Sequence, residues 1–434
     1  MEYERILSRY GYADVRIERN DDSYVSVTNG EVKHASGTSG GVGVRVLENG
    51  SWGFASSNRG EPIQELLEKA KKLALLGKGS IGLAMPRPEK KRIRKRPVQT
   101  DADEQVEALL EAGKRMAGKY VAARTLSCSD SYTVKEFYSS AGAEIIQETG
   151  YTYLSCTCTA RSGEKIQRGS ARSWSRSGFG KVDFSIAEEA REKAVRLLGA
   201  APPPKGRFTV VFDPEMTGVF SHEAVGHACE ADAVLDGESI LADKMGLRIG
   251  NELVSIADEP GADDFGNYAY DDEGVEAQRT VLVYKGVLKG FIDSMETAKA
   301  LELRPNGHAR AQGYDAVPIV RMSNTYFQKG DASVEDVFDV KEGVYLKGMR
   351  GGSVDTFAGG FMFKAEEAYL IKGGQKQQLL RDTTITGNIL QTLHEVECVG
   401  RDFGGSPGMC GKDGQSVPVS DGGPHIRIRN VAIG

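Results

Sequence analysis

Asn-Gly and Gly-Gly pairs punctuate this chain at short intervals, and the segments between them alternate apolar and polar residues. Glycine accounts for 53 of the 434 residues, against a usual share of about 7%, and it follows no fixed repeat. An Asn-Gly pair admits the left-handed backbone of a two-residue hairpin turn, so each pair between alternating segments predicts two antiparallel strands. SYVSVTNGEVKHASG predicts such a hairpin at Asn29-Gly30 and GVGVRVLENGSWGFAS another at Asn49-Gly50. RTVLVYKGVLKGFI repeats the pattern at Lys285-Gly286. The chain must build sheets.

Helical periodicity interrupts the strands in a few places. The spacing predicts helices over about Glu61–Leu76, 101–118 and Ile186–Leu198, with three or four strands between Val121 and Trp174. Ala201-Pro-Pro-Pro-Lys-Gly206 is the clearest linker, because three prolines forbid regular structure there. The expected fold class is therefore α+β. Residues 1–200 form an N-terminal α+β domain with a mixed sheet and helices. Residues 207–434 form a C-terminal, mostly antiparallel β domain carrying one metal-binding helix. That helix starts at Pro214, behind Asp213 as its N-cap, and its pattern continues to about Leu235. The basic run Arg87–Pro97 reads as a solvated, proline-bounded connector.

Bulk properties narrow the function. Apolar content of 40% and charged content of 27% suit a water-soluble globular chain, and a net charge of −6 argues against a dedicated nucleic-acid binder. No stretch reaches the roughly 18–20 apolar residues of a membrane span, and the N-terminus lacks a signal-peptide core. Six cysteines follow no disulfide framework and form no C-x-x-C. The cytoplasm is the expected location, where thiols stay free.

Within the expected helix lies His222-Glu223-Ala224-Val225-Gly226-His227. Only six histidines occur in the whole chain, and two of them bracket a glutamate here. Two imidazoles can hold a zinc ion, and an adjacent carboxylate can take a proton from a water the metal activates. The histidines stand at i and i+5, which a regular helix separates by about 140°. Both reach one metal only if the helix is distorted; a π-type turn, closing i to i+5, realigns them. Gly226 is expected to ease that distortion.

Catalytic zinc usually takes three protein ligands, so a third donor must come from elsewhere. Cys410, Cys398, His308, His394, Glu230 and Asp232 are candidates by residue type. Gly408-Met-Cys410-Gly-Lys-Asp-Gly414-Gln415 stands out, since its glycines let the backbone turn tightly and present the thiol. Lys412 is expected to help keep a thiolate ionised.

The chain resembles the TldD/PmbA family of metallopeptidases, and within it the catalytic TldD type. The resemblance is carried by GVGVRVLENGSWGFAS, SHEAVGHACEAD, RMSNTYF, GGSVDTFAGGFMFKAEEAYLI and GMCGKDGQSVPVSDGGPHIRI. It implies His222 and His227 as zinc ligands, Glu223 as catalytic acid/base and Cys410 as the third ligand, with one zinc per chain. Where relatives often have Gly-Leu-Glu-Gly-Asp, this chain has Ala228-Cys229-Glu230-Ala231-Asp232; the acids are kept, and Cys229 adds a spare thiol. The resemblance further implies hydrolysis of unfolded polypeptides or small peptides, and a homodimer or a heterodimer with a PmbA/TldE-type partner. Glycine-rich strand edges offer such substrates main-chain hydrogen bonds.

Two other readings compete. A non-catalytic zinc-containing interaction or modulator protein would need a closed, four-ligand site. A metal-free enzyme would use Cys410 as a nucleophile activated by a histidine.

Overall fold

The computed structural model describes residues 2–94 and 100–434 and is α+β, with strands predominating. A seven-stranded sheet draws all its strands from the first 175 residues. Its order is Ser51–Ser57, Glu31–Glu48, Tyr12–Thr28, Val121–Ser139, Glu144–Ser162 and Lys90–Arg94, with Lys165–Ser175 also paired to Glu144–Ser162. The Asn-Gly turns adopt the backbone their residue types permit. Asn29 and Gly30 lie at φ 53° and 95°, Asn49 and Gly50 at 49° and 71°, and each pair closes an antiparallel hairpin. Cys156 and Cys158 share one face, as strand alternation requires. They are buried with Cys128 against helices Ala102–Arg115 and Ile186–Leu197.

The expected connector at 87–97 is corrected in part. Lys90–Arg94 pairs in parallel with Glu144–Glu148 as an edge strand. Ile93 packs against the Phe137 and Ile145 cluster, and Arg94 Nε lies 3.5 Å from Glu148 Oε1. One apolar anchor and an opposite charge suffice to fix a segment whose composition looks solvated. Residues 95–97 of that run lie outside the described residues.

Downstream, five strands close into a ring: Glu342–Asp355, Gly206–Phe212, Ile426–Ile433, Thr384–Asn388 and Gly360–Lys372, the last pairing back to the first. A six-stranded sheet lies beside it, in the order Val287–Leu288, Thr280–Tyr284, Ile256–Asp258, Asn324–Phe327, Gln415–Gly423 and Gly404–Lys412. Two pairings are parallel, Gly206–Phe212 with Glu342–Asp355 and Asn324–Phe327 with Gln415–Gly423; the other ladders in the two assemblies are antiparallel. Met216, Phe220, Ala224, Val225 and Ala228, on the segment after Pro214, join a buried cluster fed by both assemblies. The metal-bearing segment is thus pinned inside the core rather than laid on the surface. Among the described residues no helix is long and apolar enough to cross a membrane.

A buried ion-pair network ties the first sheet to the second half of the chain. Arg45 Nη2 lies 2.7 Å from Asp14 Oδ2 and Arg45 Nη1 lies 2.9 Å from Glu273 Oε1, with all three side chains buried. Burial works against the guanidinium charge, but the two carboxylates outweigh it and hold the charge on Arg45. Removing one member of such a set leaves uncompensated buried charge, at a cost of about 3–5 kcal/mol. Arg45→Met is expected to lower the stability measured by denaturant unfolding by that amount, whereas a change below about 1 kcal/mol would deny the network its role.

Candidate metal centre

Asp213 and Pro214 start the metal-bearing segment as their types predict: the Asp213 side chain accepts from Met216 N at 2.8 Å, and the helix runs Pro214–Phe220. It then widens into a π-helical turn, Ser221–Gly226, in which the His227 amide donates to the His222 carbonyl. That i to i+5 bond joins the two histidines and swings their rings toward one point. The ring centroids lie 5.2 Å apart, nearly perpendicular at 87°.

Gly226 serves another purpose than expected. Its backbone is ordinary right-handed helix, φ −57° and ψ −56°, so the widened turn does not draw on glycine's freedom. A Cβ there would instead lie 2.0 Å from Met322 Sδ. Gly226→Ala is expected to destabilise the protein by about 1–3 kcal/mol through overpacking, and Met322→Ala in the same chain to recover much of the loss. Thermal unfolding of the single and double variants measures this, and absence of rescue would refute the packing account.

The helix does not continue to Leu235 as the periodicity suggested. A tight turn, His227–Cys229, is followed by Glu230 in an extended conformation, φ −72° and ψ 119°, before the short helix Ala231–Leu235. The break folds Glu230 back, and its Oε2 lies 3.1 Å from His227 Nδ1. The opposite nitrogen, Nε2, faces Cys410 Sγ at 3.6 Å and Glu223 Oε2 at 3.9 Å.

Cys410 arrives from the edge strand Gly404–Lys412. One donor atom each from His222, His227 and Cys410 falls within 4.8 Å of the other two. Burial raises the Cys410 thiol, but the charges of His222 and His227 and their hydrogen bonds more than reverse this, bringing it down to about 4. Burial likewise disfavours protonation of the imidazoles, and here too the neighbours prevail. The Cys410 charge raises His222, and the Glu230 charge raises His227 well above its ordinary value. Lys412 does not act on the thiolate directly as expected; its ammonium is engaged by Asp232 at 2.6 Å and Glu230 at 3.2 Å.

These residues fit a zinc ion. The donor set is two imidazoles and a thiolate, a combination suited to zinc. His222 Nδ1 is buried with no hydrogen-bond partner, which leaves a ring nitrogen for something other than protein to satisfy. His227 gives its other nitrogen to a carboxylate, the usual support for a metal-binding imidazole. Glu223, one-third exposed, borders the donors without belonging to their set.

The other candidate donors lie elsewhere or act otherwise. His308 is buried between Asp258 at 3.0 Å and Asn306 at 2.8 Å, His394 is exposed, and Cys398 packs against a separate apolar cluster. Cys229 is fully buried, and burial pushes its thiol far up. Sequence reasoning missed Asp421. It is buried on the strand paired with that of Cys410, opposite Ser406. Burial, reinforced by the Glu223 charge, pushes its carboxyl up to about 7 against the pull of His222 and Arg172. The available signal was an acid directly before Gly422-Gly423 at the end of a strand pattern.

A buried thiolate–imidazole cluster on a distorted helix, with a carboxylate at its mouth, defines a metal-site hydrolase by its chemistry. Comparison with known proteins agrees. Models of the PmbA/TldA metallopeptidase match in three segments: domain 1 over residues 13–74, the central domain over 95–198 and the C-terminal domain over 205–434. A metalloprotease of Methanothermobacter thermautotrophicus is 43% identical, with 99% of this chain and 96% of that protein aligned. A zinc metalloprotease TldD homolog of Saccharolobus solfataricus is 31% identical over 98% of this chain and 96% of its own length. The crystal structure of TldE from Thermococcus kodakarensis shares the fold, with a TM-score of 0.82 and 22% identity over 100% of this chain and 98% of that one. The chain belongs to the PmbA/TldD family and is a zinc metallopeptidase.

Proposed function

We propose that this protein hydrolyses peptide bonds of unfolded polypeptides or small peptides at one zinc ion per chain, held by His222, His227 and Cys410, with Glu223 as acid/base. The observation that carries the reading is the convergence of the three donors, with the Glu223 carboxylate 3.9 Å from His227 Nε2. When bound, zinc supplies Lewis acidity to the scissile carbonyl and lowers the pKa of a water molecule. Glu223 takes the proton of the attacking water and returns it to the leaving amine. Glu230 accepts from His227 Nδ1, directing Nε2 to the centre, and Lys412 holds Glu230 in turn.

The donor set has three members among the described residues, whereas structural zinc takes four; this favours catalysis over the modulator reading. The strand Gly404–Lys412 ends its sheet and offers an extended peptide main-chain pairing independent of sequence. Residues 1–200 and 207–434 act as the two domains, and the working form is a cytoplasmic dimer, with itself or with a TldE-type partner.

Metal removal tests the reading. A chelator is expected to abolish digestion of an unfolded protein, and zinc to restore it in step with the metal content found by elemental analysis. Full activity in the metal-free protein would overturn the proposal and favour a Cys410 nucleophile.

A further inference from the structure

A cavity of about 420 Å³ separates the seven-stranded sheet from the six-stranded one, within the roughly 300–1,000 Å³ of ligand pockets. Met409, Val417 and Pro418 form part of its wall. Met409 precedes Cys410, and Val417 is the cross-strand neighbour of Cys410. The cavity therefore borders the strand pair that supplies the thiolate, yet none of the metal-site residues lines it.

Two guanidiniums converge on this space. Arg176 donates from Nε to the Asp264 carbonyl at 2.9 Å, and from Nη2 to those of Phe265 and Asn267 at 2.7 and 2.8 Å. Arg310 donates from Nη1 to the Met322 carbonyl at 2.6 Å and from Nη2 to that of Pro418 at 2.8 Å, and its guanidinium lies 4.8 Å over the Tyr268 ring. All these acceptors are neutral. Among the described residues neither arginine forms an ion pair, and Arg176 Nη1 and Arg310 Nε have no protein acceptor.

The acids of the same wall are committed elsewhere. Glu18 and Asp272 share Lys135 at 3.1 and 2.9 Å, and Asp271 accepts the amides of Glu273 and Val275 at 2.9 Å and of Ala309 at 3.0 Å. Asp22 is exposed. Asp263 and Asp264 act on Arg176, and Asp272 and Asp258 on Arg310, only from beyond ion-pair distance, and the two guanidiniums sit close enough to oppose each other. Burial and then the charge of Arg310 lower Arg176 to about 10. Tyr151 and Phe265, in edge contact at 4.7 Å between ring centroids, add an apolar surface.

We infer that this cavity is a carboxylate-recognition subsite, in which Arg176 and Arg310 together receive either the C-terminal carboxylate of a peptide or the side chain of an Asp or Glu within it. The inference rests on the peptidase reading above. The donors left free, one on each arginine, can meet the two oxygens of one carboxylate, which would give both guanidiniums the direct ion pair that neither makes within the protein.

The test uses the full-length zinc-loaded protein carrying Glu223→Gln, so that peptides bind without turnover. Four probes are compared by calorimetry: N-acetyl-trialanine as free acid and as amide, and amidated N-acetyl-Ala-Glu-Ala and N-acetyl-Ala-Gln-Ala. The free acid is expected to bind at least about tenfold tighter than its amide if the terminal carboxylate is read. The Glu peptide is expected to exceed the Gln peptide by a similar factor if the side chain is read. Adding Arg176→Gln should bring that ratio to near one. Arg176→Lys, which keeps the charge but not the planar guanidinium anchored on three carbonyls, should give an intermediate ratio, and unfolding midpoints check that both variants fold. Equal affinities within both pairs, no binding of any probe, or a preference that survives Arg176→Gln (as direct binding of the carboxylate to zinc would) overturns the subsite. If the acid is preferred in this way but the protein with Glu223 intact cleaves none of the probes or an unfolded polypeptide, the subsite stands and the peptidase reading falls.

Discussion

Glu223→Gln is expected to slow peptide hydrolysis by about 10²- to 10⁴-fold, the usual worth of a positioned acid/base, while zinc stays bound. Glutamine keeps the shape and exposure of the side chain but accepts no proton at the pH of the assay. Glu223 is not one of the three converging donors, yet it lies 3.9 Å from the nitrogen of His227 that faces Cys410. The variant thus separates chemistry from metal binding. Turnover of a peptide and zinc per chain, read on the same preparation, decide the matter. Undiminished turnover would remove Glu223 from the mechanism, and loss of zinc would make it a ligand.

Cys410→Ala is expected to weaken zinc binding by more than a hundredfold and to abolish activity with it. Loss of a mere supporting partner of a metal ligand costs about 10- to 100-fold, so loss of the thiolate itself must cost more. It also removes the charge that His222 and His227 share. Cys229→Ala is the control, because that thiol is fully buried in the apolar cluster next to the second histidine. It should retain zinc. Competition with a chromogenic chelator measures both variants, and the reverse outcome would transfer the ligand role to Cys229.

Much of this was legible in local residue patterns. Asn29-Gly30 and Asn49-Gly50 specified their hairpins because the left-handed turn is a property of those two residues. Asp213-Pro214 specified a helix start for a similarly local reason. The separation of His222 and His227 required a distortion of the kind the π turn provides, since a regular helix diverges over five residues. What escaped depends on contacts distant in sequence. Glu230 lies in a run with helical periodicity, and the chain breaks there because Cys229 and Ala231 pair through their backbone with Ile292 while the Glu230 side chain is tied to His227 and Lys412. Asp421 is invisible as a neighbour of His222 until its strand pairs with that of Cys410. The Arg45 network joins residues 14, 45 and 273, which no window along the chain contains. Gly226 taught the opposite lesson, since its residue type was informative but the reason lay in Met322.

The π turn also sets the centre's tolerance to changes in chain length. Deleting Ala224 or Val225 would leave His-Glu-x-x-His, whose histidines share a face of a regular helix, so the pair by itself would survive the shortening. Its surroundings would not. Removing one residue rotates everything beyond it by about 100° and draws it back about 1.5 Å, carrying His227 and Glu230 together away from Cys410, and Glu230 and Asp232 away from Lys412. The extra residue thus acts as a phase adjustment between the part of the segment that offers the first histidine and the part that braces the second.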